Sequence, residues 1–204
     1  VNAFVEAQAD DISLFRARLA RMAAKRITPA SLDNAALFYL QRFASSADNL
    51  RRVLLRRVDK AARALDDPEQ AEALRAQAQN WVDALIERYQ RSGLLDDATY
   101  AAARARSLHR RGTPLQAIGR KLMLKGVDGE TADGALEQLR QEAPDADRDA
   151  AFAFAKRRRL GPYRLPELRA QHRDKDLAAL GRAGFAYELA RQVVDTEDEE
   201  GGAP

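Results

Sequence analysis

The chain has 204 residues, with 34 basic and 31 acidic side chains, a formal charge of +3 and no cysteine. That composition excludes disulfides, thiolate zinc sites and cysteine nucleophiles, and it fits a reducing cytoplasm. Apolar residues reach 46% but lean on Ala and Leu, aromatics are 6% and charged residues 32%, which suits short amphipathic helices better than a thick sheet core. No apolar run approaches the roughly 20 residues of a membrane span, and no signal-peptide pattern opens the chain. Val1 is not a natural start, so a missing original N-terminus is expected.

Residues 1–27 carry a weak helical pattern (Leu14, Phe15, Leu19, Met22) and read as an N-terminal arm or peripheral helix. Thr28-Pro29 opens a better helix, near 31–44, with Leu32, Ala36, Leu37 and Leu40 at helical spacing. Ser45 and Ser46 break it. Ser46 then caps a helix near 46–58, with Asp48 well placed in its first turn. Leu50, Val53, Leu54 and Val58 form its apolar stripe, and Arg51, Arg52 and Arg56 lie off that stripe. After the turn Leu65-Asp-Asp-Pro68, a longer helix near 70–92 turns Leu74, Ala78, Trp81, Val82, Leu85, Ile86 and Tyr89 inward.

The punctuation is clearest from Arg91 to Val127. Gly93 suits the left-handed position past a helix C-terminus, Asp96 is a natural N-cap, and Leu95 and Tyr100 occupy the two places of a hydrophobic staple. A helix near 97–110 follows. Arg111-Gly-Thr-Pro114 predicts a Thr113 N-cap with Pro at the first position of a helix near 114–125. Ile118 and Leu122 share its inner face, and Lys125-Gly126-Val127 closes it. Seven Arg or Lys residues stand between Ala98 and Val127, with no Asp or Glu.

A helix near 129–141 leads to an acidic hinge, Glu142-Ala-Pro-Asp-Ala-Asp147. Further helices are expected near 147–158, 166–181 and 185–195, and Gly161-Pro162 repeats the turn chemistry of Gly112-Thr-Pro114. Residues 196–204 read as an acidic, disordered tail. No segment alternates over a strand length, so no sheet is predicted.

The units repeat. Leu50, Arg52, Leu54 and Arg57 match Ile118, Arg120, Leu122 and Lys125 at one offset, 118 − 50 = 68, which also pairs Ser46 with Pro114 and Leu40 with Leu108. Leu180, Gly184 and Phe185 stand in for Leu122, Gly126 and Val127 at 180 − 122 = 58. Repetition of helical triplets means stacked modules, each burying its apolar face partly against a neighbour.

Catalysis has little to stand on. His109 and His172 lie apart among arginines and read as exposed polar residues, and Asp96-Asp97 at a helix start reads as capping rather than acid–base chemistry. No Gly-x-x-x-x-Gly-Lys-Ser/Thr loop is present, and Gly126, Gly129 and Gly134 follow no strand. No catalytic residue, metal or cofactor is expected. Binding is better supported. Arg104, Arg106, Arg110 and Arg111 precede the turn and Arg120, Lys121 and Lys125 follow it, so two adjoining helices share a basic surface. Such a surface suits phosphates or an acidic protein groove, and the sequence does not separate them. Lys156, Arg157, Arg158 and Arg159 are a third basic group, placed either for contact or to complement a helix dipole.

Gly93-Leu-Leu-Asp-Asp97 with Tyr100, the basic helix, Arg111-Gly112 and Ile118 through Val127 closely resemble the middle repeat of the RecX family, bacterial modulators of the RecA recombinase. Lys175-Asp-Leu-Ala-Ala-Leu-Gly-Arg-Ala-Gly-Phe185 resembles the family's C-terminal helix. The match runs from about Leu32 to Asp195. It departs where Val58 replaces a closing Lys-Gly, and at the acidic connection 66–73. The resemblance implies an elongated, all-α tandem array of three three-helix repeats, at 28–93, 94–143 and 144–195. It further implies a cytoplasmic, monomeric regulator that binds RecA and the groove of its filament on single-stranded DNA. Such a regulator suppresses RecA's ATP hydrolysis, strand exchange and coprotease activity in recombination and the SOS response, with weak direct DNA binding besides. The alternatives are a helical module acting directly on DNA or RNA, and a scaffold for another acidic protein.

Overall fold

A computed structural model describes residues 27–197. The pattern expected over 1–26, and the tail beyond 197, lie outside the described residues. Among the described residues the protein is all-α, with nine α-helices and one short 3-10 turn.

The first compact unit extends to Asp96. Helix α1 (Pro29–Leu40) starts with a reciprocal box in which Thr28 and Ser31 side chains each accept the other's backbone N–H, and Pro29 sits in the first turn. It ends earlier than the sequence suggests. The Arg42 N–H turns back to the Tyr39 carbonyl, a tightening that stops the helix before Phe43 and Ala44. Helix α2 (Ala47–Ala62) begins at Ser46, whose side chain accepts the Asn49 N–H at 3.2 Å. It runs past the expected stop at Val58, because no glycine stands there and Lys60-Ala-Ala continues the turn. Helix α3 (Pro68–Arg91) is capped by the Asp67 carboxylate. Leu32, Ala36, Leu50, Leu54, Val58, Ala78, Val82 and Ile86 form the core of this triplet, with Leu95 packed into the same cluster. On its rim, Tyr89 donates to the Asp33 carboxylate at 2.6 Å, and Arg88 reaches the same oxygen. Burial and then Asp33 push the Tyr89 hydroxyl up to about 12.

The second unit starts at Asp97 and holds two clusters. Helices α4 (Asp97–Arg110), α5 (Leu115–Leu124) and α6 (Gly129–Glu142) pack around Ala101, Ala105, Leu108, Ile118, Leu122 and Leu136. Helices α7 (Ala146–Arg158), α8 (Pro166–Ala183) and α9 (Tyr187–Val194) surround Phe154, Leu180, Phe185 and Val193.

Three of the helix stops share one hydrogen-bond pattern. The residue after Gly112, Gly126 and Gly184 bonds back to a carbonyl five residues earlier (Thr113 to Leu108, Val127 to Leu122, Phe185 to Leu180), and all three glycines have positive φ. Helix α7 closes in the same way, Leu160 to Ala155, but the left-handed residue is Arg159, at φ 55°. This corrects the pairing of Gly161 with Gly112: the matching position holds an arginine, and Gly161 is a second positive-φ residue beyond it.

The two clusters of this unit meet at the α4–α5 turn. A Cβ on Gly112 would lie 2.4 Å from the Phe154 backbone nitrogen, so only glycine lets α7 come this close. Beside it, His109 Nε2 donates to the Ala146 carbonyl at 2.7 Å, so His109 is a half-buried seam residue rather than an exposed one. The expected Thr113 cap is also corrected. Pro114 is the cap residue, without a side-chain bond, and the orphan Leu115 N–H goes to the Asp147 carboxylate at 2.8 Å.

The third cluster has its own buried anion. Asp176 is 2% exposed, and it accepts from the Gly161 N–H at 2.9 Å and from both Nε (3.1 Å) and Nη2 (2.7 Å) of Arg164. Burial pushes its carboxyl up, but the Arg164 and Gly161 hydrogen bonds outweigh that, and the carboxyl titrates below its ordinary value.

Two stability predictions result. Gly93 has open space around it, so Gly93→Ala should cost only the left-handed strain, about 1–2 kcal/mol. Gly112→Ala adds a backbone clash and should lower stability well beyond that in urea unfolding. For Asp176 the folded pKa is depressed, so its contribution is complete above the unfolded value of about 3.9 and is lost as pH falls through the folded one. Asp176→Asn should therefore flatten the acid limb of the stability curve below about pH 4, while Asp176→Ala, stranding Arg164, should cost about 3–5 kcal/mol at neutral pH.

Candidate basic interaction surfaces

The arginines divide into two populations. One ties helices together. Arg51 Nε donates to Asp83 at 2.8 Å and joins α2 to α3, and Arg75 reaches back to Asp59 at 3.2 Å in the same pair. Arg106 grips Glu142 with two bonds, 2.8 and 2.6 Å, and joins α4 to α6. That fork lifts the Arg106 guanidinium above its ordinary value and holds the Glu142 carboxyl below its own. Arg173 holds Asp195 by a similar fork, both bonds 2.7 Å. Of the residues expected to make a contact, Arg51 and Arg106 are thus engaged inside their own modules. Arg52 is exposed, with Asp48 one helical turn back at 2.9 Å.

The other population has no ion pair among the described residues. On the second half of α2 and its end these are Arg56, Arg57, Lys60 and Arg63, all exposed. In the second unit they are Arg104, half-buried, and the exposed Arg110, Arg111, Arg120 and Lys121. Lys125, exposed one turn beyond Lys121, has a partner and is not one of this set. The Arg120 guanidinium extends toward the closing turn of the third cluster, 3.8 Å from the place of a Gly184 Cβ. Lys156 to Arg159 are exposed, and Arg157 and Arg158 stand over the Phe154 ring at 5.8 and 5.6 Å. Arg57, Lys60 and Arg63 were missed as contact candidates. In the sequence they look like Arg51, and only the acids that α3 brings to α2 separate a paired arginine from an open one.

The repeat register is sharper in space than in sequence. In α2 and α5 the buried positions keep the offset of 68: Ala47 and Leu115, Leu50 and Ile118, Leu54 and Leu122. In α1 and α4 they follow 101 − 32 = 69, pairing Leu32 with Ala101 and Ala36 with Ala105. The Leu40–Leu108 match is therefore one residue out, and Tyr39 is the counterpart of Leu108.

A groove of about 520 Å³ runs between α1 and α2, lined by Ser31, Asn34, Ala35, Phe38, Val53, Leu54 and Arg57. No group of three or more His, Asp or Glu among the described residues could hold a metal ion, and no described helix is long and apolar enough to cross a membrane.

Residues 96–136 match the family model for the second three-helix domain of RecX. The chain is 41% identical over 173 residues to regulatory protein RecX of Myxococcus xanthus, covering 84% of this chain and 88% of that one. It is 32% identical over 169 residues to regulatory protein RecX of Agrobacterium fabrum, covering 82% and 83%. A shorter match, 31% over 122 residues, covers 64% of regulatory protein RecX of Thermobifida fusca. No solved structure matches the chain at significance.

The division of the arginines is testable by calorimetry. Arg106→Gln removes the fork on Glu142 and should lower the melting temperature. Arg110→Gln with Arg111→Gln, which breaks no ion pair, should leave it unchanged.

Proposed function

The chain belongs to the RecX family, and we propose that it regulates the RecA recombinase, mainly as an inhibitor, by binding RecA and the groove of its filament on single-stranded DNA. The observation that carries this reading is the set of cations left without ion pairs on α2 and α5, while neighbouring arginines are neutralised between helices. A surface held open in this way attracts carboxylates and phosphates and speeds encounter with them. The proposed mechanism is occupancy. Modules 28–93, 94–143 and 144–195 each contribute modest contacts, and contacts on one chain add through effective concentration. ATP hydrolysis, strand exchange and coprotease activity then fall together, because all require an unobstructed filament. The regulator acts as a cytoplasmic monomer and performs no chemistry itself, in keeping with the missing phosphate loop. The same open cations favour a second reading, direct binding of DNA or RNA, which the salt arm of the test below separates.

The purified chain should hydrolyse no ATP and should slow RecA's DNA-dependent hydrolysis at or below stoichiometric amounts. Arg56→Glu with Lys60→Glu, and separately Lys121→Glu with Lys125→Glu, should change stability by no more than about 0.5 kcal/mol per site. Each pair should weaken inhibition about tenfold or more, since a charge-assisted bond is worth roughly 1.5–3 kcal/mol, and the residual inhibition should depend less on salt. RecA turnover that stays unchanged at saturating protein would sink this reading. Tight binding to bare oligonucleotide with a steep salt slope would then promote the nucleic-acid one.

A further inference from the structure

The α1–α2 groove is apolar in a place where the next module is cationic. Ala35, Val53, Leu54 and Phe38 are its apolar lining, beside the polar Ser31 and Asn34, and Phe38 is 56% exposed. A phenyl ring left in water at the lip of a cleft is an unspent anchor contact. Arg42 lies over that ring, 4.1 Å from its centroid, and Arg57 also lines the groove, so cations flank the apolar lining. No acidic residue lines the groove. The acids of α1, α2 and α3 that carry ion pairs are already engaged elsewhere: Asp33 with Arg88, Asp48 with Arg52, Asp59 and Glu72 with Arg75, and Asp83 with Arg51.

The internal repeat supplies an independent argument. In the register set by burial, Ala35, Phe38 and Val53 fall on Arg104, Ser107 and Lys121, while Arg57 falls on Lys125. One cation is kept at the cleft in both modules, and Leu54 falls on an equally apolar Leu122. Three positions, Ala35, Phe38 and Val53, are apolar in the first module and basic or polar in the second, while the polar Ser31 and Asn34 fall on Tyr100 and Ala103. A cleft that needed only to hold phosphate would resemble the second. We propose that the α1–α2 groove seats an acidic segment of the protein partner, with an aromatic or branched aliphatic side chain inserted beside Phe38 and carboxylates on Arg42 and Arg57, and that nucleic acid does not occupy it. Such a segment is read as an anchor in a groove, the mode in which a short stretch of chain gains affinity from one buried side chain. This rests on the RecA-binding reading above and names which part of the chain meets protein rather than DNA.

The test uses the full chain, RecA alone and on single-stranded DNA, and a fluorescein-labelled oligonucleotide without RecA. Phe38→Asp should weaken RecA binding about tenfold or more, Phe38→Leu should stay within about twofold of the parent, and neither should change oligonucleotide binding or the melting temperature. Should Phe38→Asp fail to fold, p-benzoylphenylalanine in place of Phe38 gives the second measurement. Its photo-adduct should map to a RecA segment with several Asp or Glu beside an aromatic or branched aliphatic residue. The groove assignment is overturned if Phe38→Asp binds RecA like the parent, if it loses oligonucleotide binding in equal measure, or if the adduct falls on a basic or purely polar segment. A parent chain that binds RecA in neither form instead overturns the functional reading itself, and the named occupant with it.

Discussion

In the second unit a hydrogen atom stands where any other residue would carry a methyl group. Gly112 lets the α4–α5 turn rest on the backbone of α7, and the other contacts of the seam depend on that approach. Only at this distance can His109 reach the Ala146 carbonyl and Asp147 satisfy the first N–H of α5. Each bond alone contributes about 1 kcal/mol. Together they fix where the third cluster begins relative to the second. Such a fixed seam matters for modules this small. The central cluster leans on Ala101, Ala105, Ala132 and Ala135, side chains that allow close helix packing but bury little area each.

Charge is used in two distinct ways. Forked or single arginine bonds between helices, such as Arg106 to Glu142 and Arg51 to Asp83, fix side chains and helix spacing at modest stabilisation, since such pairs remain partly exposed. Neutralising some arginines in this manner leaves the others in defined patches rather than in a diffuse cloud. The near-neutral total of 34 basic and 31 acidic residues therefore coexists with cationic strips on α2 and α5.

Much of the fold was legible because many of its signals are local. Thr28-Pro29, Ser46, Gly93 and Gly126 each act within one turn of where they stand, and all nine helices fall close to their expected ranges. What escaped was tertiary. No spacing rule links Asp147 to the N–H of Leu115, or Arg51 to Asp83, because the partners lie 32 residues apart in both cases. The same limit applies to the surfaces. Arg51 and Arg106 look like their basic neighbours in sequence, and only the acid supplied by another helix removes them from the set. The early end of α1 is a different failure. Leu40, Phe43 and Ala44 continue the helical spacing, but the exposed Phe43 has no core to enter, and the turn at Arg42 prevails.

Arg159 carries an evolutionary consequence. It occupies the left-handed stop that glycine fills at positions 112, 126 and 184, and L-residues are strained there. Every arginine codon lies a single base change from a glycine codon, so mutation can remove the strain in one step. That step would also delete the last cation of the Lys156–Arg159 run. A laboratory selection for thermal endurance alone would thus be drawn to this position and would erode the run as it succeeded, whereas a selection that scores binding would show whether the arginine is worth its backbone strain.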